Sequence, residues 1–151
     1  VNTGCIPSKM LIYPADVIES LIGAEKLGIM AGEISIRFRD IMERMRETRA
    51  RNSTFTRSWI LKNSDRLDFY EGEGRFLDDH VMEVGGRSVQ AEKIFLCTGA
   101  RPAIPPVEGL DEVPYLTNES VLELDSTPAD LAIIGGGYVA AGYALRSSPP
   151  V

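Results

Sequence analysis

Histidine, cysteine and long apolar runs are scarce in this sequence of 151 residues, which has one histidine and two cysteines. Two cysteines are too few for the disulfide framework of a small secreted domain. With a single histidine, His80, and no acidic cluster at ligand spacing, we expect no metal site. No apolar stretch approaches the roughly 18 residues that a membrane-spanning helix needs. The net charge of -6 argues against nucleic acid or an anionic membrane as partner, so we expect a globular, cytoplasmic protein.

The most informative stretch is the first nine residues, where a cysteine precedes a proline and an apolar helical pattern. Pro7 suits the first turn of a helix, where its missing N–H is not needed. Cys5 is therefore predicted at or just before a helix N-terminus. There the free N–H groups and the helix dipole stabilise a thiolate, and Lys9 adds a positive charge about one turn later. On this stretch alone, a redox-active thiol and a buried structural cysteine are equally good interpretations.

Two helices are predicted in the first half of the chain. Apolar residues recur at helical spacing from Ile6 to about Leu21, and Pro14 is expected to kink this helix or split it in two. A second, amphipathic helix is predicted from about Phe38 to Asn63. Its opposite face is rich in arginine, but because Glu43 and Glu47 are interleaved we interpret that face as solvated, not as a phosphate site. The apolar stripe consists of Ile41, Met45, Thr48, Asn52, Phe55 and Trp59, and the arginines are Arg44, Arg46, Arg49 and Arg51.

From residue 67 onward the pattern changes to short strands separated by turn signals. The turns Asp78-Asp79-His80 and Gly85-Gly86 are of hairpin type, so we predict a three-stranded antiparallel meander that leads into a buried strand. His80 falls in a turn and is interpreted as a solvated loop residue. The predicted strands are Leu67–Phe69, Gly74–Leu77, Val81–Val84, Arg87–Val89 and Lys93–Leu96.

The last apolar stretch, Leu131–Ile134, leads into Gly135-Gly136-Gly137-Tyr138-Val139-Ala140 and a helical pattern. A strand followed by G-x-G-x-x-A and a helix is the dinucleotide-binding fingerprint. In it, Gly135 makes the turn, Gly137 admits the pyrophosphate, and Ala140 allows the helix to pack closely on the strand. The residue that distinguishes NAD from NADP lies about 20 residues further on, beyond the last residue of this sequence.

Together these motifs resemble the flavin- and pyridine-nucleotide-dependent disulfide oxidoreductases, which include dihydrolipoyl dehydrogenase and the mercuric, glutathione and mycothione reductases. Cys5 to Lys9 match the second half of the family pattern C-x-x-x-x-C-I-P-S-K, whose first cysteine would precede Val1. The segment from Ile94 to Pro102 resembles A-T-G-[SA]-x-P of the family's flavin domain, with Cys97 in place of a small residue. We interpret Cys97 as a buried hydrophobic residue and not as a second redox partner.

The resemblance implies an activity and a set of site residues. Electron pairs pass between NAD(P)H, FAD and a cysteine pair, in which Cys5 lies against the flavin as the charge-transfer thiolate and the missing cysteine exchanges with the substrate. Lys9 lies near the flavin N5, the segment ending at Gly74 meets the adenine of FAD, and Tyr138 covers the nicotinamide pocket. The catalytic residues so implied are Cys5 and Lys9, and the cofactor-binding residues are Lys9, Gly74, Thr98, Gly99, Gly135, Gly137, Tyr138 and Ala140.

The implied fold is α/β, a partial FAD- and NAD(P)-binding Rossmann-like fold of two domains with long helices, a small meander and the first βα unit of the NAD(P) domain. We expect residues 1–100 to belong to the FAD-binding domain, 101–130 to cross between domains, and 131–151 to begin the NAD(P) domain. The family's N-terminal FAD unit and C-terminal dimerisation domain are not present, so we expect a fragment of a homodimeric parent, itself inactive. Gly142 replaces the glutamate that pairs with the lysine matching Lys9, and the tail from Arg146 is expected to break the helix.

Three functions fit these features. The first is electron transfer between NAD(P)H and a dithiol or disulfide, as in dihydrolipoyl dehydrogenase, with a small molecule or a lipoyl domain as substrate. The I-P-S-K ending and Met10-Leu11-Ile12-Tyr13 favour the side of the family that includes the lipoamide, mercuric and mycothione reductases, so a mercuric or mycothione reductase is an alternative to the first function. The second is a non-catalytic, nucleotide-binding or structural remnant. The third is a single-cysteine flavoenzyme, against which a cysteine immediately before Val1 would argue.

Overall fold

The computed structural model describes residues 3–147, which form three α-helices and one three-stranded sheet. The helices are α1 (Cys5–Gly23), α2 (Phe38–Lys62) and α3 (Tyr138–Ser147), and the strands are β1 (Gly74–Asp78), β2 (Val81–Val84) and β3 (Arg87–Gln90). Short 3-10 helices lie at Ala24–Leu27, Leu110–Glu112 and Ser120–Glu123. Among the helices described, none combines the length and apolar character needed to cross a membrane. The break of the helix predicted from Arg146 onward falls mostly on residues outside the described range. Within that range α3 continues to Ser147.

The chain divides into two compact units. One holds the residues up to Thr54 together with those from Ile104 onward, and so contains α1, most of α2 and α3. The other runs from Phe55 to Ala103 and contains the end of α2 and the sheet. The predicted FAD-binding, crossing and NAD(P)-binding segments were defined by the cofactor that each would contact and not by packing. That division stays a prediction.

The core of the first unit lies on one face of α2. Met42, Met45 and Leu122 are fully buried there, at 1%, 0% and 0% exposure. The side chains packed against them are Met10, Leu11, Phe38, Val121 and Leu124. The predicted apolar stripe is therefore correct around Met45 but wrong at its end, since Phe55 and Trp59 are 69% and 53% exposed. Both lie in the second unit, where no described side chain buries them.

Two of the four arginines on the face of α2 that was predicted to be solvated are largely covered. The side chains of Arg46 and Arg49 are only 29% and 25% exposed. Nη2 of Arg46 donates to the Leu124 carbonyl at 3.0 Å, and Nη2 of Arg49 lies 2.7 Å from Oε1 of Glu123. Because Leu122 is buried against Met45, its acidic neighbours are held beside these guanidinium groups. A contact between residues more than 70 positions apart leaves no local signal in the sequence.

A hydroxyl cap fixes the segment that carries Leu122. Oγ1 of Thr117 accepts hydrogen bonds from the backbone N–H groups of Glu119 and Ser120, both at 3.2 Å. The Ser120 hydroxyl in turn accepts from the Thr117 N–H at 2.8 Å. These reciprocal bonds satisfy donors that the start of a short helix leaves free.

Pro14 does not split α1, which runs without interruption from Cys5 to Gly23. A proline in a helix interior has no N–H for the carbonyl four residues earlier, which here belongs to Met10. Nη2 of Arg44, on α2, donates to that carbonyl at 3.5 Å. The prediction of a split is therefore wrong, and the partner of the free carbonyl comes from a neighbouring helix.

The predicted meander is confirmed, with strand order β1-β2-β3 and antiparallel pairing throughout. Gly85 and Gly86 join β2 to β3 with φ values of +57° and +77°, the left-handed pair that a two-residue type I′ turn requires. The register shifts between Phe76 and Asp78, which marks a β-bulge. Strands are not formed at the other predicted positions within the described chain, Leu67–Phe69, Lys93–Leu96 and Leu131–Ile134. A strand exists only through its ladder with a neighbour, and no described segment pairs with these three.

A two-point ion pair stabilises the second unit next to the sheet. Nη1 and Nη2 of Arg57 donate to the two carboxylate oxygens of Glu71 at 2.7 and 2.8 Å. The guanidinium also lies 6.0 Å from the centroid of the Phe69 ring. These hydrogen bonds, and then the charge of Arg57, hold the pKa of Glu71 below its ordinary value of 4.5.

We expect Glu71→Gln to reduce the acid sensitivity of this chain. Because the pKa of Glu71 is lower in the folded state, its stabilisation is present above the unfolded value and is lost as pH falls through the folded value. Urea unfolding at pH 7 and at pH 3 measures the effect, and the wild type should lose more stability between them than the variant. Glu73→Gln is the matched control, since Glu73 is exposed and forms no ion pair in the described structure. Equal acid sensitivity of the wild type and E71Q would contradict the prediction.

Candidate functional site

Cys5 is the first residue of α1, and its side chain is exposed and free of any disulfide. The turn around it is closed by Ser8, whose hydroxyl donates to the carbonyls of Gly4 at 3.1 Å and Cys5 at 3.2 Å. Pro7, the third residue of the helix, is buried. The predicted helix start is confirmed, and the alternative of a buried structural cysteine is wrong. An exposed sulfur at a helix N-terminus is placed for thiol chemistry.

Lys9 lies one turn after Cys5, on the same side of α1, and is exposed. Among residues 3–147 it forms no ion pair. The helix α3 packs against α1 near this turn, and a Cβ added at Gly142 would lie 3.8 Å from Cδ1 of Ile12. Gly142, where the family resemblance implies a glutamate, therefore faces the cysteine helix and offers it no charge.

The glycine turn before α3 leaves open space at its three glycines. Gly135 has a φ of +117°, a conformation that favours glycine, and a Cβ built at Gly135, Gly136 or Gly137 meets nothing within 4 Å. The first bond of the helix runs from the Ala141 N–H to the Gly137 carbonyl at 3.0 Å. The N–H groups that precede it have no intrahelical acceptor and can meet an anion. The turn therefore fits a dinucleotide pyrophosphate.

The side chains that follow the glycine turn differ in exposure. Tyr138 begins α3 and is 89% exposed, whereas Ala140 is half-buried. An exposed aromatic ring at the first helical position is free to lie over a bound ring system. Its predicted role at the nicotinamide pocket stays a prediction.

The segment around Cys97 differs from its predicted environment. Cys97 is exposed, as is Phe95 at 83%, so the interpretation of Cys97 as a buried hydrophobic residue is wrong. The reason is that this segment forms no strand with any described neighbour and therefore has no covered face. Gly99 has a φ of +75°, a conformation that favours glycine, but no hydrogen-bonded turn is formed there, so the predicted tight turn stays a prediction. Both Thr98 and Gly99 are exposed, and nothing lies within 4 Å of a Cβ built at Gly99.

Gly74, the predicted contact to adenine, is part of the sheet. It begins β1 and pairs with Val84 of β2. A Cβ at this position would lie 3.2 Å from Cε of Met82 and 3.5 Å from Cγ2 of Val84. A side chain here would therefore require the Met82 methyl group to move by a few tenths of an ångström. His80 lies in the turn after β1, where its Nδ1 is 3.1 Å from the Ala91 carbonyl.

The predicted site residues fall in both compact units. Cys5, Lys9 and the glycine turn before α3 belong to the first unit, where α1 and α3 are in contact. Gly74, Thr98 and Gly99 belong to the second. Within residues 3–147, no three histidine, cysteine or acidic side chains are grouped so that they would hold a metal ion.

Burial raises the pKa of Tyr143, which lies in α3. A raised folded-state pKa gives stability that is present below the unfolded value and is lost as pH rises through the folded value. We expect the wild type to lose stability above about pH 10 and Tyr143→Phe to lose less. Urea unfolding at pH 8 and pH 11 measures this difference. Tyr13→Phe is the control, because Tyr13 is 63% exposed, and a Tyr143 variant as alkali-sensitive as the wild type would contradict the prediction.

The chain belongs to the pyridine nucleotide-disulphide oxidoreductase family, which it matches over residues 1–147. Members of this family use FAD and NAD(P)H. The predicted family is thereby confirmed.

Three known proteins show how much of the family the chain represents. It is 31% identical over 141 residues to a mercuric reductase of Lysinibacillus sphaericus, covering 92% of this chain and 25% of the relative. It is 29% identical over 153 residues to a mycothione reductase of Mycobacterium tuberculosis, covering 95% and 32%. The solved structure of the HOCl-induced flavoprotein disulfide reductase RclA from Escherichia coli is similar with a TM-score of 0.70, at 28% identity over 97% of this chain and 30% of RclA. This likeness confirms the predicted partial α/β fold, and the chain spans about a quarter to a third of these relatives.

Proposed function

We propose that this chain contributes the redox cysteine and the first nucleotide-binding turn of an FAD-dependent enzyme that transfers electrons between NAD(P)H and a thiol or disulfide substrate. The observation that carries the proposal is the exposed Cys5 at the start of α1, in a unit where α1 packs against α3. The glycine turn that opens α3 is free to receive a pyrophosphate. The family match is consistent with this combination.

Each predicted residue has a role in the proposal. FAD, when bound, supplies the means to pass an electron pair between nicotinamide and sulfur. The N-terminus of α1 stabilises negative charge on Cys5, and Lys9 adds a cation one turn away. The remaining predicted contacts are with cofactor. Gly74, Thr98 and Gly99 approach FAD, and Gly135, Gly137, Tyr138 and Ala140 bind NAD(P).

We base the proposed substrate class on the relatives named above. A mercuric reductase and a mycothione reductase are 31% and 29% identical to this chain over the parts of their sequences that it matches. We therefore favour a reductase of mercuric ion or of a small disulfide. A dihydrolipoyl-dehydrogenase-like activity, with lipoamide or a lipoyl domain as partner, stays the second candidate. A cysteine before Val1 that pairs with Cys5, a homodimeric parent and a cytoplasmic location are further parts of the proposal.

The test uses the complete gene product and this chain side by side. Flavin content is read from visible absorbance, and oxidation of NADH and NADPH is followed with mercuric ion, mycothiol disulfide and lipoamide as separate acceptors. We expect the complete product to hold FAD and to reduce one of the three acceptors, and the chain alone to hold FAD poorly without turnover. A complete product that binds no flavin and oxidises neither nucleotide would overturn the proposal in favour of a structural remnant.

A further inference from the structure

The helix that carries Cys5 has a defect in its backbone hydrogen bonding at its centre. Pro14 has no N–H, so the Met10 carbonyl, four residues earlier, lacks its intrahelical donor. The contact that this carbonyl makes is exposed, so its partner is either water or a side chain that displaces water. Met10 is half-buried and packs against the core of Met42, Met45 and Leu122, so its backbone lies at the junction of α1 and α2.

Arg44 supplies the missing donor from the neighbouring helix. Its Nη2 donates to the Met10 carbonyl at 3.5 Å, and Arg44 and Pro14 line the same groove of about 330 Å³ between α1 and α2. Arg46 and Arg49 are held by acidic side chains, whereas Arg44 forms no ion pair within the described chain. Its guanidinium is therefore available to the carbonyl, which it meets in a long hydrogen bond of 3.5 Å.

We propose that Arg44 is a positioning residue for the cysteine helix. By donating to the carbonyl that Pro14 leaves free, it fixes the N-terminal half of α1, and with it Cys5 and Lys9, against α2. The inference deepens the proposed function and rests on it for its chemical meaning. The positioning itself is measured without flavin or nucleotide, so the two proposals fail separately.

Met10 is attached to the rest of the first unit at two points. Its side chain is held in the core, and its carbonyl is held by Arg44, one residue after Lys9 and five after Cys5. Without the second attachment the first turns of α1 open more often, because Pro14 leaves the hydrogen-bond ladder that joins them to the rest of the helix one bond short. Opening removes the ordered helix N-terminus at which Cys5 lies.

The experiment compares this chain with four test variants and one control variant. Arg44→Met keeps the apolar stem and removes the donor, and Arg44→Lys keeps a cationic donor. Pro14→Ala restores the intrahelical N–H to Met10, and it is made alone and together with Arg44→Met. Arg51→Met is the matched control, since Arg51 is on the same helix and donates to Thr48 within it. The readouts are amide hydrogen exchange in the peptide from Cys5 to Tyr13 and the rate of iodoacetamide alkylation at Cys5, with Cys97 of the other unit as internal reference.

We expect R44M to raise amide exchange in this peptide about fivefold and to lower Cys5 alkylation about threefold, with Cys97 unchanged. R44K should recover at least half of both effects, and R51M should show neither. In the Pro14→Ala background, R44M should have no effect on either readout. The proposal is overturned if R44M leaves both readouts at wild-type values. It is equally overturned if Cys5 and Cys97 change together, or if the effect of R44M persists in full beside Pro14→Ala.

Discussion

Replacement of Cys5 by serine is expected to abolish disulfide reduction by the complete gene product while leaving its NAD(P)H-dependent reduction of a dye. Thiol–disulfide exchange needs a thiolate, and a serine hydroxyl neither attacks a disulfide nor stores an electron pair. We therefore expect the rate with the disulfide to fall about 10³-fold or more. Transfer from NAD(P)H to a dye does not pass through sulfur, so that rate should stay within a few-fold of the wild type.

Cys97→Ser is the matched control for this experiment. Cys97 is also free and exposed, and it lies in the other compact unit. If exposure of a thiol were sufficient for the reaction, both variants would lose activity. We expect only Cys5→Ser to do so, because Cys5 alone lies at a helix N-terminus. Full disulfide reduction by the Cys5 variant, or equal loss in both variants, would show that the redox sulfur has been wrongly assigned.

The sequence predicted best those features that depend on neighbours along the chain. The start of α1 at Cys5 follows from Pro7, the length of α2 follows from its apolar period, and the turn at Gly85-Gly86 follows from two glycines with positive φ. Each of these is decided within about one turn of the residue concerned. The glycine turn before α3 belongs to the same class, since Gly135 adopts the positive φ that its position in the fingerprint requires.

The features that the sequence missed depend on distant partners. Leu67–Phe69, Lys93–Leu96 and Leu131–Ile134 have the composition of strands, but a strand needs a ladder that no described segment provides. Cys97 is exposed for the same reason, because burial of this segment requires a neighbour on each side. These misses coincide with the segments of the implied nucleotide-binding sheets.

Side-chain contacts between helices were also beyond prediction. Arg44 and Arg46 are two positions apart and look alike in the sequence, yet one bonds a backbone carbonyl of α1 and the other bonds the segment after Leu122. The packing of Met10 and Leu124 against the cluster of Met42, Met45 and Leu122 brings both partners to α2. The sequence therefore predicted the reactive residue of the candidate site, Cys5, but it did not predict the side-chain contacts between the helices around it.

Leu122→Ala is expected to destabilise the first unit by about 2–5 kcal/mol, the range for a leucine that leaves a cavity in a core. Leu122 is 0% exposed and is one of three hydrophobic side chains buried in the described structure. Its loss also loosens the neighbouring residues Glu123 and Leu124, which hold Arg49 and Arg46. The matched control is Leu27→Ala at a residue that is 80% exposed, where the change should stay within about 0.5 kcal/mol. Urea unfolding followed by circular dichroism measures both variants. Equal loss of stability in the two leucine variants would mean that Leu122 does not belong to a core. The packing of α1 and α2 against the Ser120–Glu123 helix would then be wrong.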